Sequence, residues 1–492
     1  MKQVIKKFPK TKTGIDGLDE ITDGGFPKGR PILICGSAGC GKTLLGMQFL
    51  ARGATEYNEP GVFMSFEESS KDLSQNVTSL GIDLEKMIAE KKLRVDHVKF
   101  ERAEIEETGE YDLEGLFIRL NHAIDSIGAK RVVLDTIESL FGGMENAVLL
   151  RSEIRRLFMW LKEKGVTTII TGERGENSLT RQGLEEYVSD CVIFLDFRVI
   201  DQIATRRLRI IKYRGSTHGT NEYPFLIDEN GISVLPITSL KLEHKSSTEI
   251  VSTGFSSLDK LFSRNGIFRG TSILVTGSAG TSKTTLAAYF AMGSCKRRER
   301  VLFFSFEESP NQLERNMKSV GINLTPFLKS KLLIVHASRP SLQGLEMHLL
   351  LLHKLIAEFK PKTVIIDPVS SLVTIGSDSE VRAMLVRLMD MLKINQINTL
   401  FTALTHPHRF GIPDMTVDAV SSLADTWIQL ENGDRSGTRA RNLLIIKSRG
   451  TGHSNKAFDF EINDKGIQFL VDNKDYKEGR KATHKSKKIT RK

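Results

Sequence analysis

The 492-residue chain carries the same series of four short motifs twice, in the same order. The repeated segments, separated by 240, 241, 240 and 235 residues, are 13–19 and 253–259, 36–43 and 277–284, 63–69 and 303–309, and 212–218 and 447–453. So constant a spacing over most of the chain indicates a tandem duplication, because unrelated motifs would not keep their order and distance. We predict two homologous domains, residues 1–240 and 250–473, with a polar linker at 241–249 and a tail at 474–492.

The second motif predicts a phosphate-binding loop in each half. Residues 36–43 read GSAGCGKT and follow an apolar run typical of a buried strand, which gives the pattern G-x-x-x-x-G-K-[ST] between a strand and a helix. Backbone N–H groups of such a loop surround phosphates, its lysine reaches the β and γ oxygens, and its threonine holds Mg²⁺. The expected ATP-binding residues are Gly36, Ser37, Ala38, Gly39, Cys40, Gly41, Lys42 and Thr43 and, in the repeat, Gly277, Ser278, Ala279, Gly280, Thr281, Ser282, Lys283 and Thr284.

One position of the second loop departs from the pattern. Ser282 stands where the motif has a glycine before the lysine, and where the first loop has Gly41. Because a Cβ atom restricts the backbone, the sequence leaves open whether Ser282 alters the loop geometry or the ATP affinity of the C-terminal half.

Short apolar runs alternate with helix-like segments in both halves. The runs are 62–66, 131–134, 167–170 and 192–195, and then 301–306, 363–366, 399–402 and 427–430. Runs that are apolar on both faces and separated by helices predict an α/β fold with a mostly parallel sheet flanked by helices. Residues 207–213, 223–226 and 233–235 are more typical of antiparallel hairpins added to that sheet.

An aspartate follows a buried apolar run in each half, at Asp135 and at Asp367. Ligands of open α/β sheets bind beyond the carboxyl ends of the strands. We therefore expect Asp135 to join Thr43, and Asp367 to join Thr284, in holding the water shell of a Mg²⁺ ion.

Paired glutamates end another predicted strand in each half. They are Glu67 and Glu68, and Glu307 and Glu308. A carboxylate beside the γ-phosphate orients or deprotonates an attacking water or hydroxyl. Because the pair recurs at a similar distance from each loop lysine, we interpret these four residues as catalytic.

The net charge of +10 is concentrated in the tail. Residues 474–492 hold nine Lys and Arg against two acids, which leaves three net positive charges for residues 1–473. Nucleic acid is therefore not an expected partner of the body, although it stays open for the tail, whose low apolar content predicts disorder.

Targeting signals are not evident in the sequence. No apolar run reaches the length of a membrane span, residues 1–10 lack the apolar centre of a secretory signal, and the four cysteines lack metal-ligand spacing. These features predict a cytoplasmic protein with reduced thiols and no membrane partner.

Taken together, the motifs resemble those of the KaiC family, the double-domain ATPase and autokinase of the cyanobacterial clock, which also has members widely in bacteria and archaea. The order is TG-x-x-x-LD, the phosphate loop, F-x-x-F-E-E-S, the strand-end aspartate and K-x-R-G-x-x-H, and it covers about residues 10–470. The resemblance implies two RecA-like domains per chain, a homohexameric double ring, and ATP between neighbouring subunits. The tail is unlike that of the clock protein, so partner proteins are not implied.

The resemblance also gives the fourth motif a role. In the family, the Lys, Arg and His at these positions reach the ATP held by the adjacent subunit. The residues implied here are Lys212, Arg214 and His218, then Lys447, Arg449 and His453, with Arg206 and Arg441, six residues before each lysine, expected to join them. Without the resemblance, a basic hairpin is more typical of a solvated face.

Residues 420–426, VSSLADT, resemble the family's phosphorylation segment. The resemblance implies autophosphorylation at Ser421, Ser422 or both. When Asp190 is aligned with Asp425, residues 186 and 187 (a glutamate and a tyrosine) stand opposite these serines, so only the C-terminal half offers serines.

The predicted function is that of an ATP-binding signalling hexamer with ATPase and serine/threonine autokinase activity. Two other classes stay open at this stage. RecA-like rings include DNA motors and recombination factors, and a ring scaffold could bind ATP with little turnover.

Overall fold

The computed structural model describes residues 8–98, 113–141, 147–175, 178–180, 189–200, 203–236, 246–405, 420–435 and 438–470. The chain divides into two compact units, Met1–Ser239 and Leu240–Lys492. The predicted tail and most of the predicted linker lie outside the described residues.

The N-terminal unit is built on one large sheet and a short two-stranded one. Its strands are β1 Lys10–Thr11, β2 Phe26–Pro27, β3 Pro31–Gly36, β4 Gly61–Ser65, β5 Leu93–His97, β6 Arg131–Asp135, β7 Thr167–Glu173, β8 Cys191–Ile200, β9 Ile203–Tyr213, β10 Glu222–Asp228 and β11 Gly231–Val234. Its helices are α1 Leu18–Ile21, α2 Lys42–Glu56, α3 Ser70–Thr78, α4 Leu84–Ala89, α5 Glu114–Ile127, α6 Ile137–Phe141 and α7 Ala147–Lys164.

The large sheet runs in the order β11-β10-β9-β8-β3-β7-β6-β4-β5. The strands from β8 to β5 are parallel, with the phosphate-loop strand β3 between β7 and β8. Strands β9, β10 and β11 continue the sheet as antiparallel hairpins, as the sequence predicts. The carboxyl ends of the parallel strands therefore lie at one edge of the sheet, which is where ligands of open α/β sheets bind.

The C-terminal unit repeats this architecture. Its strands are β12 Ile250–Val251, β13 Ile267–Phe268, β14 Ser272–Gly277, β15 Val301–Ser305, β16 Leu333–Ala337, β17 Thr363–Asp367, β18 Asn398–Leu404, β19 Thr426–Arg435, β20 Thr438–Ser448, β21 Phe458–Asn463 and β22 Gly466–Phe469. Its α-helices are α8 Ser256–Asp259, α9 Lys283–Lys296, α10 Pro310–Ser319, α11 Thr325–Lys329, α12 Leu345–Phe359 and α13 Asp378–Ile394, with 3₁₀ turns at Pro340–Leu342 and Val369–Thr374. The sheet order β16-β15-β17-β18-β14-β19-β20-β21-β22 matches the first unit strand for strand.

Alternation along the strands explains why both faces of the sheet are covered. In β4, Phe63 packs into one apolar cluster, while Val62 and Met64 pack into another on the opposite face. All three side chains are fully buried. Because successive strand residues point to opposite faces, apolar runs without polar alternation require helices on both sides. The predicted α/β fold with two tandem, mostly parallel domains is confirmed.

Two further observations concern the chain as a whole. The four cysteines are buried and form no disulfide. Among the described residues, no helix combines the length and apolarity needed to cross a bilayer.

Candidate nucleotide site

The phosphate loop has the same geometry in both units. Gly41 precedes α2 with φ 104°, and Ser282 precedes α9 with φ 77°. Ser282 thus adopts the left-handed conformation that the glycine has, although a serine rarely does so. The backbone of Ser282 follows that of Gly41, so the serine does not change this part of the loop geometry.

The loop lysines occupy equivalent positions. Lys42 Nζ donates hydrogen bonds to the carbonyls of Gly36 and Ser37, at 3.0 and 3.1 Å. Lys283 Nζ bonds to the carbonyls of Gly277 and Ser278, at 2.9 Å each. Burial lowers the pKa of Lys283, while nearby acids oppose that change. Each ammonium group therefore lies inside its own loop, where it would meet a phosphate.

Each strand-end aspartate contacts the loop threonine. Thr43 Oγ1 donates to Asp135 Oδ2 at 2.8 Å, and Thr284 Oγ1 donates to Asp367 Oδ2 at 2.7 Å. The other oxygen of Asp135 accepts a hydrogen bond from Thr171 on the neighbouring strand β7. Burial raises the pKa of both aspartates, although the threonine hydrogen bonds oppose the rise. The sequence motifs and the fold thus bring the hydroxyl and the carboxylate together.

The first glutamate of each pair faces the same edge of the sheet. In the N-terminal unit Glu67 Oε1 accepts hydrogen bonds from Thr136 Oγ1 at 2.9 Å and from Ser139 Oγ at 2.6 Å. In the C-terminal unit Glu307 Oε1 accepts one from Ser371 Oγ at 3.2 Å. Pro368, which follows Asp367 as Thr136 follows Asp135, has no hydroxyl to donate.

The second glutamate of each pair contacts the following helix. Asn76 Nδ2 donates to Glu68 Oε2 at 3.2 Å, and Asn316 Nδ2 donates to Glu308 Oε1 at 3.0 Å. These asparagines, and the serines that bind the first glutamates, belong to none of the four repeated motifs. A signal was present, because the asparagines are 240 residues apart, as the acid pairs are.

The N-terminal site also holds two acids, Glu138 and Glu173, where the C-terminal site has Ser370 and Leu404. Glu138 Oε1 accepts a hydrogen bond from the backbone N–H of Glu173 at 2.6 Å. The equivalent bond of the second unit runs from the N–H of Leu404 to Ser370 Oγ at 3.1 Å. The two sites therefore share a loop, a threonine and an aspartate but differ in local negative charge.

The K-x-R-G-x-x-H segments lie at the opposite edge of the sheet from the phosphate loops. Tyr213 pairs with Cys191, which pairs with Ile32 near the start of β3, whereas the loop follows Gly36 at the end of β3. These levels are four residues apart, or about 13 Å along a strand. In the C-terminal unit Ser448 is level with Ile273 in the same way. We call the residues Lys212, Arg214, Lys447 and Arg449 the hairpin cations.

The histidines of these segments bond locally. His218 Nδ1 lies 2.9 Å from the carbonyl of Gly219, and His453 Nδ1 lies 3.0 Å from that of Ser454. The ring of His218 also stacks on Tyr213, with centroids 6.4 Å apart. The side chain of each histidine thus lies against the segment that also carries the hairpin cations of its unit.

Arg206 and Arg441 are not placed with the hairpin cations. Arg441 is level with Asn432, beyond the end of β14, and its Nε donates to the carbonyl of Gly280 in the phosphate loop of its own unit at 3.2 Å. Arg206 is level with Phe197, over whose ring it lies at 4.7 Å. Burial raises the pKa of Cys40 in the first loop, and the positive charge of Arg206 is one of the effects that lower it. Both arginines are therefore neighbours of their own loop.

The predicted phosphorylation segment meets the hairpin cations of the second unit. Lys447 Nζ donates to the carbonyl of Ser421, and Arg449 Nη2 donates to that of Ser422 at 2.7 Å. Ser422 is exposed and Ser421 is half-buried. Residues 186 and 187, which the repeat aligns with these serines, lie outside the described residues.

A duplicated α/β domain with a strand–loop–helix phosphate site and a threonine-bound aspartate on a neighbouring strand defines a RecA-like P-loop ATPase. The sequence model of the KaiC ATPase family matches residues 11–239 and again residues 251–474. The chain belongs to the KaiC family, and each half is an ATP-binding ATPase domain.

Relatives match along most of the chain. The circadian clock protein KaiC2 of Synechocystis sp. is 55% identical over 461 residues, which cover 94% of this chain and 81% of the relative. The circadian clock oscillator protein KaiC of Synechococcus elongatus is 37% identical over 459 residues, 93% of this chain and 88% of the relative. That of Thermosynechococcus vestitus is 37% identical over 466 residues, 94% and 89% of the two chains.

Proposed function

We propose that the chain is an ATP-driven signalling protein that assembles as a homohexameric double ring in the cytoplasm, in line with the clock role in its relatives' names. The observation that carries this proposal is the separation of the site into two parts. In both units the phosphate loop is at one edge of the sheet and the hairpin cations are at the other. A site that uses both parts cannot be built from one unit alone, and we propose that two copies of the chain supply them, with ATP between the copies.

Mg²⁺ is proposed to accompany ATP in both units. The hydroxyl of Thr43 and the carboxylate of Asp135 are 2.8 Å apart, and Thr284 and Asp367 are 2.7 Å apart. These hard oxygen donors fit an ion that keeps most of its waters and also binds phosphate. When bound there, the ion would neutralise charge on the β- and γ-phosphates.

Hydrolysis is proposed to use Glu67 and Glu68 in the N-terminal unit, with Glu307 and Glu308 as the matching bases of the C-terminal unit. The hydroxyls that bind Glu67 and Glu307 hold these carboxylates on the edge where a γ-phosphate would lie. A carboxylate in that position orients a water and accepts its proton as the oxygen attacks phosphorus.

Autophosphorylation is proposed for Ser421, Ser422 or both. Their carbonyls accept hydrogen bonds from Lys447 and Arg449, which places the serines at the edge opposite the loop of their own unit. If the hairpin cations reach a neighbour's ATP, the serines reach the same γ-phosphate. The oxygen of the serine would then bond to phosphorus as the bond to ADP breaks, and a neighbouring Glu307 or Glu308 would take the hydroxyl proton.

Arg206 and Arg441 are proposed to act on the nucleotide of their own subunit. Their place beside the loop of the same unit supports this assignment. The trans set then consists of the hairpin cations with His218 and His453.

Mixed rings test the proposal. Arg449→Ala subunits and Glu307→Gln/Glu308→Gln subunits should each fail to incorporate label from γ-labelled ATP. Mixing them should restore part of the incorporation, because some interfaces combine an intact acid pair with an intact arginine. No recovery in rings shown to be mixed would mean that the site is built within one chain. Intact rings without turnover or label in the wild type would instead indicate a scaffold.

A further inference from the structure

Each arginine of the hairpin cations contacts one aspartate of its own chain through both its backbone and its side chain. The backbone carbonyl of Asp190 accepts a hydrogen bond from the N–H of Arg214 at 2.9 Å, and that of Asp425 accepts one from Arg449 at 2.8 Å. The carboxylate of the same aspartate lies 3.7 Å from Arg214 Nη1 or 4.0 Å from Arg449 Nη1. One residue therefore fixes the backbone of the arginine and attracts its side chain.

A lysine from the preceding helix completes the same cluster in both units. Lys162 Nζ near the end of α7 lies 3.4 Å from Asp190, and Lys393 Nζ near the end of α13 lies 3.0 Å from Asp425. The acid, the lysine and the arginine come from three separate segments of each half. The same cluster thus forms twice, in two halves whose sequences have diverged.

The remaining contacts of the two aspartates differ. Arg30 Nη1 lies 3.4 Å from Asp190. Asp425 instead accepts hydrogen bonds from Ser272 N and Ser272 Oγ, at 3.0 and 2.7 Å. The chemistry around the acid has changed between the halves, but its contact with the arginine has not.

Burial separates the two ends of each pair. The side chains of Asp190 and Asp425 are 5% and 20% exposed, whereas those of Arg214 and Arg449 are 54% and 56% exposed. The backbone N–H of each aspartate also bonds to the first residue of the phosphate-loop strand, at 3.3 and 2.9 Å. Each aspartate is thus fixed at this edge of the sheet, whereas the guanidinium of its arginine is exposed to solvent.

We propose that Asp190 and Asp425 are positioning residues that direct Arg214 and Arg449 toward the nucleotide of the adjacent subunit. The inference rests on the trans role proposed above. A long surface arginine samples many rotamers, and a fixed carboxylate narrows that range. At 3.7–4.0 Å the pair is looser than a close bidentate pair, so the guanidinium can still bind a phosphate.

The Asp425→Asn substitution tests this in the full chain, because it keeps the size of the side chain and removes its charge. The background carries Glu67→Gln and Glu68→Gln, so that phosphate release reports the C-terminal unit. We expect kcat to fall about tenfold while the KM for ATP changes by less than about twofold. The reason is that a misdirected arginine would stabilise the transition state less, with little effect on the binding of ATP.

The matched control is Glu299→Gln. Glu299 is a part-buried carboxylate of the same unit that pairs with Arg269 at 2.5 Å and with Arg297 at 3.0 Å rather than with a hairpin cation. If loss of a paired carboxylate acted only through stability, both substitutions would lower the rate alike. We expect Glu299→Gln to keep the wild-type kcat, and equal losses from the two substitutions would overturn the inference.

A double-mutant cycle identifies the route of the effect. In an Arg449→Ala background, Asp425→Asn should cause no further loss of kcat, because the acid acts through the arginine. A further loss of the same size would overturn the inference, as would wild-type kcat in Asp425→Asn alone. If Arg449→Ala alone leaves phosphate release unchanged, the trans role itself fails, which separates the two results.

The N-terminal unit repeats the experiment independently. Asp190→Asn and Arg214→Ala are measured with Glu307→Gln and Glu308→Gln in the background. The same non-additive loss is expected, and additive losses overturn the inference for that unit. This pair also serves if Asp425→Asn does not fold, which a thermal melt shows.

Discussion

At the residue scale, Ser282 is the position where the two phosphate loops differ most. Its φ of 77° lies in the left-handed region, which costs a residue with a Cβ about 1–2 kcal/mol. A glycine adopts that region freely but loses about 0.5–1 kcal/mol more chain entropy on folding. Ser282→Gly should therefore raise the free energy of unfolding of the C-terminal unit, by about 0.5–1 kcal/mol.

The reciprocal change, Gly41→Ser, is the matched control. A Cβ at Gly41 would stand 3.0 Å from Ile227 Cδ1 in addition to the backbone cost. We expect this change to destabilise the N-terminal unit by more than Ser282→Gly stabilises the other. Urea unfolding without nucleotide measures both, and a destabilising Ser282→Gly would contradict the assignment of strain.

The buried Asp367 gives a pH-dependent prediction at the same scale. Burial raises its pKa in the folded chain above that in the unfolded chain. The folded state then binds the proton more tightly, so this carboxyl adds stability at low pH and loses it as the pH rises through the raised pKa. Asp367→Asn should therefore raise the free energy of unfolding at neutral pH without nucleotide.

The difference between Asp367→Asn and the wild type should disappear as the pH falls below the ordinary pKa of a carboxyl. With ATP and Mg²⁺ the order should reverse, because the variant lacks the carboxylate proposed to hold the ion's water shell. Thermal melts over a pH series measure both effects. A difference that does not change with pH would mean that the carboxyl is not the cause.

At the scale of the elements, the segments after β6 and β17 hold the first glutamate of each pair differently. Glu67 has two hydroxyl donors, Thr136 and Ser139, whereas Glu307 has Ser371. Ser371→Ala should slow phosphate release by the C-terminal unit about three- to tenfold, because a hydrogen bond to a charged group is lost. Ser139→Ala should slow the N-terminal unit less than about twofold, since Thr136 remains as a donor.

Steady-state phosphate release measures this pair of variants, each with the acid pair of the other unit changed to Gln. Equal effects in the two units would show that the number of hydroxyl donors does not matter. Larger loss from Ser139→Ala would contradict the structural reason.

The same scale shows which features the sequence could predict. The loop, the aspartate and the glutamates were predicted with their elements because each is written in a few consecutive residues. The sequence did not predict strand β5, because its residues LRVDH lack the run of apolar side chains that indicates a buried strand. The sequence also grouped Arg206 with Lys212, which are six residues apart on one strand, whereas the register of β8 and β9 separates them to the two edges of the sheet.

At the scale of the whole molecule, Lys42→Ala should remove nucleotide binding from the N-terminal unit and with it ring assembly. Lys42 Nζ lies inside the loop, and the proposed interface needs ATP between subunits. Sedimentation velocity with ATP and Mg²⁺ measures assembly, and Lys71→Ala, an exposed lysine in α3, is the control. Hexamers of Lys42→Ala without bound nucleotide would contradict an interfacial ATP.

The tail gives a second test at this scale. It holds seven of the ten net positive charges, so any binding of nucleic acid should depend on it. Removing residues 474–492 should leave phosphate release unchanged if ATP turnover belongs to the two domains. Strong stimulation of the full chain by single-stranded DNA, lost steeply with salt, would instead favour a DNA-associated ATPase.

The loop at one edge of each sheet and the hairpin cations at the other give each unit, taken by itself, a front and a back. Contacts between a front and a back are heterologous, and they close into a ring or continue as a filament. In a closed ring, each subunit would hold its own nucleotide and sense that of one neighbour only. The effect of hydrolysis at one ATP site would therefore be transmitted around the ring in one direction only.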